Sequence, residues 1–528
     1  MLVVWRPFGS SESERTGSDF ARAWERGDYR AMYDELTPGA RGEISFAAFK
    51  RAYEEAGDTA TATKVKTGQP KEDGDAVTLP VTASTRMFGP VRGDVVLPIS
   101  EGKVAWTPNL TFPGVPVGTQ LSRESEAPRR AAILTRDGET IVSGPADARA
   151  PEGPAATIAG EMGAPESAKE KDALYARGFE RDARVGATGL ERALDEQAAG
   201  KPGGRLSAGE RTLATAEPRP ARGVRSTIDS TVQQASVEAL GARFGGVAAI
   251  DPLTAEVRGL AGVAFSAPQP PGSTFKIITT AAALETDKVK MTDDFPVQTA
   301  ANIDGSTLSN AHDESCGGSF EQSFAHSCNS VFAPLGVKVG AEALVEYSER
   351  FGFNRQPKIQ GAEPSTIPQP DGITSNLELG ATAIGQGKVL ATPLVLASAA
   401  QVVASRGVLR EPTLVPGSEP REPKRIISRD TARKLEKLMI AVVEYGTGEN
   451  AQLGGGIKVA GKTGTAELGV SGNAGDSAAS NEDAWFTAYA PIKKPQLAVA
   501  VLVVRGGAGG DVAAPIAQQV LGASLNPD

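Results

Sequence analysis

A serine three residues ahead of a lysine, in Ser273-Thr274-Phe275-Lys276, is the first candidate for chemistry in this chain of 528 residues. On a helix, residues three apart share a face with Cβ atoms roughly 5–6 Å apart, so the Lys276 amine is placed to reach the Ser273 hydroxyl. A serine hydroxyl is a weak nucleophile until a neighbour takes its proton, and a lysine takes it once burial or nearby cations lower its pKa. Two further motifs follow in order, Ser327-Cys328-Asn329 and Lys462-Thr463-Gly464-Thr465. A hydroxyl in the second can relay a proton, and an amide can hold a peptide carbonyl. Each motif alone is weak: S-x-x-K arises by chance, S-x-N more often marks a helix cap, and K-T-G a strand ending in a turn. Their order and setting together spell serine acyl transfer.

The neighbouring residues predict what positions these groups. Pro270, Pro271 and Gly272 form a rigid turn, and Ile277 to Leu284 follow as a buried helix, so Ser273 is expected at a helix N-terminus, where developing negative charge is favoured. Ser327 and Asn329 lie in a small and aromatic stretch from Phe324 to Phe332, where polar side chains are costly to bury idly. Ile457 to Ala460 is strand-like and leads into the third motif. On a strand, Lys462 and Gly464 share a face, and Gly464 permits close approach of a ligand backbone.

This constellation resembles the penicillin-binding transpeptidases and serine β-lactamases, whose three motifs appear in this order. The likeness extends to Ser226-Thr-Ile-Asp229, Val247 to Val257, Ala383-Ile-Gly-Gln-Gly387, Ala391-Thr-Pro393, Tyr445-Gly-Thr-Gly448 and Ala484-Trp-Phe486, about Arg225 to Leu525 in all. The resemblance implies that Ser273 attacks the carbonyl of a D-Ala-D-Ala stem peptide and that Lys276 accepts its proton. Ser327 and Lys462 help to deliver a proton to the departing D-Ala, and Asn329 binds the substrate amide. The backbone N–H groups of Ser273 and Thr465 form an oxyanion hole, and Thr463, Gly464 and Thr465 line the substrate, the two threonines at its carboxylate. It further implies that the strand carrying Lys462 is a sheet edge, against which a peptide or β-lactam lies as an added strand.

The preceding residues resemble monofunctional class B penicillin-binding proteins. Val185-Gly-Ala-Thr-Gly-Leu-Glu-Arg192 is similar to their non-catalytic pedestal, and Arg130-Ala-Ala-Ile-Leu-Thr-Arg-Asp-Gly138 is a worn form of R-G-x-I-x-D-R-x-G, with Ala131 and Thr135 replacing Gly and Asp. Ahead of these, Phe20 to Trp24, Tyr29 to Tyr33 and Ser45 to Tyr53 have helical apolar spacing, with Phe46, Phe49 and Tyr53 on one stripe. Strand-like runs Thr59–Lys66, Ala76–Ser84, Gly93–Ile99 and Lys103–Trp106 follow. This module is similar to the nuclear-transport-factor fold found at the front of methicillin-resistance-type penicillin-binding proteins, with a spacer or docking role. The expected architecture is therefore α+β and multidomain: 1–16 a residual anchor and linker, 17–113 the front module, 114–224 a pedestal or dimerisation-like domain, and 225–525 the transpeptidase domain, an antiparallel sheet flanked by helices. Ser143–Glu166 and Lys201–Gly223, rich in Ala, Gly, Pro and charge, are expected as loops.

Composition narrows the classes. A net charge of −9 with no basic cluster argues against nucleic acid. Two histidines and two cysteines do not furnish an ordinary zinc site, and no metal or other cofactor is expected. Cys316 and Cys328 are either a disulfide or buried thiols. Members of the family are tethered by an N-terminal membrane helix of roughly 20 apolar residues. Here only Met1 to Trp5 are apolar, followed by a polar linker from Arg6. The expectation is a protein at the extracytoplasmic face of the cell membrane whose anchor is cut short at the start of this sequence; a chain with an apolar stub is the alternative.

Three functions are compatible with these residues. The leading one is a D,D-transpeptidase cross-linking peptidoglycan for cell shape or division, acylated by β-lactams, and working with a membrane glycan polymerase because no glycosyltransferase domain is visible. The others are a β-lactamase, for which no deacylating base is identifiable, and a non-catalytic β-lactam sensor or divisome scaffold.

Overall fold

The computed structural model describes residues 11–417, 423–467 and 481–525. The apolar start Met1–Trp5 lies outside them; among the described residues no helix is long and apolar enough to cross a membrane.

Five antiparallel strands form the central sheet, in the spatial order Val257–Gly262, Gly245–Ile250, Leu497–Val503, Glu482–Ala490, Ala460–Glu467. The two central strands are buried on both faces, and their side chains alternate between two cores. Trp485 and Tyr489 enter a large core with Phe275 and with Ile277 and Ile278 of the helix Lys276–Glu285 that follows it. Phe486 and Ala488 enter a smaller one against the C-terminal helix Gly509–Leu525. Period-two alternation with both faces apolar is what a sheet sandwiched between helices requires.

The front of the chain forms four helices, Glu12–Arg26, Tyr29–Asp34, Pro38–Glu43 and Phe46–Ala60, packed on a sheet. Each starts at a Ser, Asp or Thr whose side chain accepts from a backbone N–H three residues on, a cap worth about 1 kcal/mol. In the strand Ala76–Thr85, Val77, Leu79, Val81 and Ala83 alternate inward. The expected strand from Thr59 is corrected: the helix continues to Ala60, Thr61 turns the chain at φ 55°, and the strand is Ala62–Thr67. The reason is legible in the spacing Phe49, Tyr53, Ala56, Ala60, one continuous buried helical stripe.

Two expected loops are partly ordered elements. Within Lys201–Gly223, Gly203–Ala208 and Arg211–Ala216 form a hairpin that pairs with Leu121–Glu126. Little apolar area is needed because only one face is covered, by Leu206 and Ala208. Within Ser143–Glu166 a short helix, Ala156–Ala159, buries Ile158 and Ala159 in the same core as the helix Lys276–Glu285. That core runs from Ala131 to Leu502, and a parallel pairing of Ile133–Leu134 with Val224–Arg225 crosses the expected 224/225 boundary.

The worn motif holds a buried ion network. Arg130 is 2.9 Å from both Glu191 and Asp195, and Arg149 is 2.6 Å from Glu191. The turn at the replaced Thr135 closes through Glu139 N–H donating to Thr135 Oγ1 at 3.0 Å, so the substitution retains a local acceptor.

Candidate active site

Ser273 lies in a 3₁₀ turn, Gly272–Phe275, that runs directly into the helix Lys276–Glu285. The nucleophile candidate therefore sits one tight turn ahead of the α-helix expected to begin with it. The turn is pinned from several sides. Thr274 Oγ1 donates to Pro271 O at 2.7 Å, Trp485 Nε1 to Pro270 O at 2.8 Å, and Gly272 N–H to Gly385 O at 2.9 Å. Gly272 has φ +52°, and a Cβ there would stand 2.5 Å from Thr465 O. Only glycine lets the turn lean this closely on the third motif.

Ala460–Glu467 is the edge strand that the resemblance implied, although it begins at Ala460 and the strand-like Ile457–Val459 precedes it as loop. A side chain at Gly464 would meet Pro271 O at 2.7 Å, so the strand and the Ser273 turn touch backbone to backbone. Thr465 Oγ1 accepts from Gly509 N–H at 3.4 Å, which places the start of the C-terminal helix behind the same strand.

Ser327 ends the helix Phe320–Ala325 by way of His326 and takes the left-handed φ of 60°, while Asn329 opens the helix Asn329–Val339. Cys328 between them is disulfide-bonded to Cys316, so of the two alternatives left open the structure has the disulfide. Asn329 Nδ2 donates to Ser309 O at 2.8 Å, which orients its Oδ1 the other way.

The three motifs meet at two lysines. Lys276 Nζ lies 2.7 Å from Ser327 O, 2.7 Å from Asn329 Oδ1 and 3.2 Å from Ser327 Oγ. Lys462 Nζ lies 2.8 Å from Ser327 Oγ and 3.0 Å from Thr463 O. Both lysine side chains are fully buried, over the rings of Phe332 and Phe324 at 5.4 and 5.7 Å. Burial alone pushes Lys462 down to about 7, and burial with the neighbouring Lys462 charge holds Lys276 well below the ordinary lysine range. No hydrogen bond joins Lys276 to Ser273 among the described residues; the Lys276 bonds run to the second motif.

This arrangement has a definite chemical capacity. A neutral amine has two N–H donors, and the two 2.7 Å acceptors on Lys276 occupy both. Its lone pair then faces the Ser327 hydroxyl at 3.2 Å and is the one site on the amine that can accept a proton. Ser327 Oγ stands between two amines of lowered basicity, the geometry of a proton shuttle. Ser273 and Ser327 are half-buried, so a reacting group can reach the hydroxyls while the amines behind stay dry.

Ser273, Lys276, Ser327, Asn329, Lys462, Thr463, Gly464 and Thr465 are thus brought together, from four separate elements. Two structural contributors carried no role in the sequence reading. Gly385 supports the Ser273 turn, and Thr447 lies 2.5 Å from Thr463, hydroxyl to hydroxyl. The glycine spacing of Ala383–Gly387 and Tyr445–Gly448 was the available signal, since isolated glycines between apolar runs mark close backbone approach.

The model of the penicillin-binding protein transpeptidase domain matches residues 245–522. Among curated proteins, the peptidoglycan D,D-transpeptidase PbpA of Mycobacterium tuberculosis H37Rv is 36% identical over 287 residues, covering 50% of this chain and 56% of the relative. Stage V sporulation protein D of Bacillus subtilis is 35% identical over 281 residues, covering 48% of this chain and 42% of that protein. The chain therefore spans about half the length of the curated relatives it matches. Among solved structures, penicillin-binding protein A of M. tuberculosis as its penicillin G acyl-enzyme complex aligns with a TM-score of 0.57 at 27% identity, over 76% of this chain and 100% of that one. The D,D-transpeptidase domain of a peptidoglycan glycosyltransferase from Eggerthella lenta aligns with a TM-score of 0.60 at 26% identity, over 75% and 98%.

Proposed function

The chain belongs to the penicillin-binding protein transpeptidase family, and on that footing we propose that it is a serine D,D-transpeptidase that cross-links peptidoglycan stem peptides and is acylated by β-lactams. The observation that carries this is the buried pair Lys276 and Lys462 converging on Ser327 Oγ beside the half-buried Ser273 turn.

In the proposed reaction Ser273 Oγ attacks the carbonyl between the two D-Ala residues while its proton passes to the Lys276 amine. The oxyanion so formed points at the backbone N–H groups of Ser273 and Thr465; losing one such donor typically costs about 3 kcal/mol. The C–N bond then breaks, the ester to Ser273 remains, and a proton moves through Ser327 and Lys462 to the departing D-Ala amine. An amine from a second stem peptide attacks the ester and regenerates the hydroxyl, returning its proton by the same route. Asn329 holds the substrate amide, and Thr463, Gly464 and Thr465 line the peptide against the edge strand. The low basicity of both lysines supports this reading, because a lysine charged at neutral pH accepts no proton.

The finer assignments are proposed with it. Residues 225–525 are the transpeptidase domain, 114–224 the pedestal, and 17–113 a nuclear-transport-factor-like spacer. The helices-then-sheet order of the front residues supports that last likeness. A location at the extracytoplasmic face of the cell membrane and a separate glycan polymerase partner complete the reading.

Intact-protein mass spectrometry over time with penicillin G, on wild type and Ser273→Ala, tests it. The expected result is one adduct lasting hours and absent from the variant. Rapid release of opened penicillin would replace the reading with a β-lactamase; no adduct at all would leave a scaffold. A lasting adduct that persists in Ser273→Ala would remove Ser273 as the nucleophile.

A further inference from the structure

An amine that attacks the Ser273 ester has two protons to lose, and the buried lysines account for one of them. The side-chain amine of a second stem peptide, with a pKa of about 10 in water, arrives at neutral pH as an ammonium. Attack needs its lone pair, so one proton leaves before the new bond forms and a second leaves after it. The second returns to Ser273 Oγ by way of the lysines. The first has to end in water, and burial of Lys276 and Lys462 opposes a lasting charge on either amine. The chemistry therefore calls for an exposed base where the acceptor enters.

By microscopic reversibility the acceptor amine takes the place that the departing D-Ala amine left, on the Ser327 and Lys462 side of the ester. His326 directly precedes Ser327, with Cα atoms about 3.8 Å apart. It is exposed, and its N–H donates to Gln322 O at 2.9 Å where the helix Phe320–Ala325 ends. Its ring lies 6.3 Å from that of Tyr445, which ends the helix Arg429–Glu444 and is 40% exposed. Tyr445 is itself held in place: its hydroxyl donates to Glu321 Oε1 at 3.0 Å, and Lys437 Nζ meets Glu321 Oε2 at 2.8 Å. Two helix ends thus fix an open pair of rings at the rim beside the second motif. The negative end of the dipole of Arg429–Glu444 favours positive charge there, whether on an arriving ammonium or on an imidazolium.

The other titratable groups around this pair are committed. Lys437 holds the Glu321 carboxyl below the usual carboxylate range, burial and the Glu321 carboxylate push the Tyr445 hydroxyl up to about 12, and Lys458 pairs with Glu444 at 2.6 Å. The His326 ring nitrogens make no hydrogen bond among the described residues. Imidazole is the side chain suited to take up and release a proton near neutral pH.

We infer that His326 is a catalytic residue of the second half of the reaction, the group that takes the first proton from the acceptor ammonium, with Tyr445 holding its ring at the entrance. The inference rests on the transpeptidase reading above and adds to it a base that the three motifs do not contain. The ammonium gives one proton to a ring nitrogen of His326 and becomes a neutral amine. The amine lone pair forms the new N–C bond, the bond from the carbonyl carbon to Ser273 Oγ breaks, and the second N–H proton passes through the lysines to Ser273. The imidazolium then releases its proton to water. Acylation needs no such base, because the proton that Ser273 gives up is the one the departing amine takes.

The test separates the two halves of the reaction. Acylation is timed by mass spectrometry with penicillin G. The second half is followed with the thioester N-benzoyl-D-alanyl-mercaptoacetate as acyl donor and D-alanine as acceptor, on wild type and His326→Gln at pH 7 and pH 9.5. At pH 7 the ratio of amide to hydrolysis product should fall about tenfold in His326→Gln, while acylation by penicillin G stays within about twofold of wild type. The gap should close at pH 9.5, where the solution itself supplies neutral amine, a rescue that a merely structural role would not give. A loss equal at both pH values, or a parallel fall in acylation, would show that His326 only supports Ser327 and overturn the inference, as would an unchanged product ratio at pH 7. His326→Asn, with the same donor and acceptor, serves if the glutamine variant does not fold. Wild type that penicillin G does not label, or that forms no amide, overturns the transpeptidase reading together with this inference; labelled, amide-forming wild type whose product ratio is indifferent to His326→Gln overturns this inference alone.

Discussion

Lys462 Nζ and Ser327 Oγ meet at 2.8 Å across 135 residues of chain, and this contact ties the edge strand to the helical side of the cleft. It forms because Ser327 holds a left-handed φ of 60°, a conformation costing a non-glycine residue roughly 1–2 kcal/mol, which turns its hydroxyl toward both lysines. Burial of Lys462 then leaves the amine near neutrality, so the contact joins a hydroxyl to a base of suitable strength.

If Lys276 takes the Ser273 proton, Lys276→Ala should slow acylation by penicillin G roughly 10³-fold while the far-ultraviolet circular dichroism stays native. Lys276→Arg should be as slow, since a guanidinium keeps its charge and accepts no proton. Wild-type acylation should rise with pH as Lys276 loses its proton. A Lys276→Ala rate within tenfold of wild type, read by time-resolved mass spectrometry, would remove the lysine from this role.

Burial of Lys462 also has a signature in stability. Its folded pKa of about 7 lies below the unfolded value of about 10.4, so between these the unfolded chain binds more protons than the folded one. Stability therefore rises with pH through that window; below about 7 the amine is charged in both states and the cost of burying the charge is borne in full. Urea unfolding at pH 7 and pH 9.5 should show wild type gaining on Lys462→Met, with the lowered Lys276 giving both proteins a residual slope of the same sign. Parallel titrations of the two would contradict a depressed Lys462.

Arg130 spans two carboxylates that are nearly inaccessible to water, with Glu191 at 0% and Asp195 at 11% side-chain exposure. Breaking a buried pair from one side costs about 3–5 kcal/mol; because Arg149 still faces Glu191, Arg130→Met should fall at the lower end of that range. Arg130→Lys should not restore it, because an ammonium lacks the fork that serves both acids. A urea midpoint unchanged from wild type would mean the network contributes little to stability.

Two glycines in one loop provide a matched pair. Gly385 has φ +76°, and a Cβ there would stand 2.1 Å from Gly272 O, next to Ser273; Gly387 has φ +73° with nothing within 4 Å of its Cβ position. Both alanine variants carry backbone strain, but only Gly385→Ala displaces the Ser273 turn. Gly385→Ala should therefore lower the acylation rate by about tenfold or more, and Gly387→Ala should leave it near wild type. Equal rates for the two would show that the loop does not position Ser273.

Much of the scaffold was legible along the chain because it depends on local periodicity. The helix after Lys276 and the strands Glu482–Ala490 and Leu497–Val503 follow from runs whose apolar spacing repeats over several residues. The boundary at Ala60 was missed because strand-forming threonines at Thr59 and Thr61 competed with a helical stripe that tertiary packing favours. The hairpin Gly203–Ala208 with Arg211–Ala216 was missed for a related reason: its partner strand lies some 80 residues earlier, and its own residues carry little apolar signal.

By itself the sequence determined the three motifs, their order, the apolar elements around them and the likeness to one family, since residue type and short-range spacing are written along the chain. Only the tertiary structure decided that the Lys276 bonds run to Ser327 and Asn329, that Cys316 and Cys328 are paired, and that Thr447 lies against Thr463. Those contacts join residues 12 to 53 positions apart in the chain. Which groups meet at such separations is set by how whole elements pack and by where glycine lets backbones touch, and no local pattern of residues encodes that.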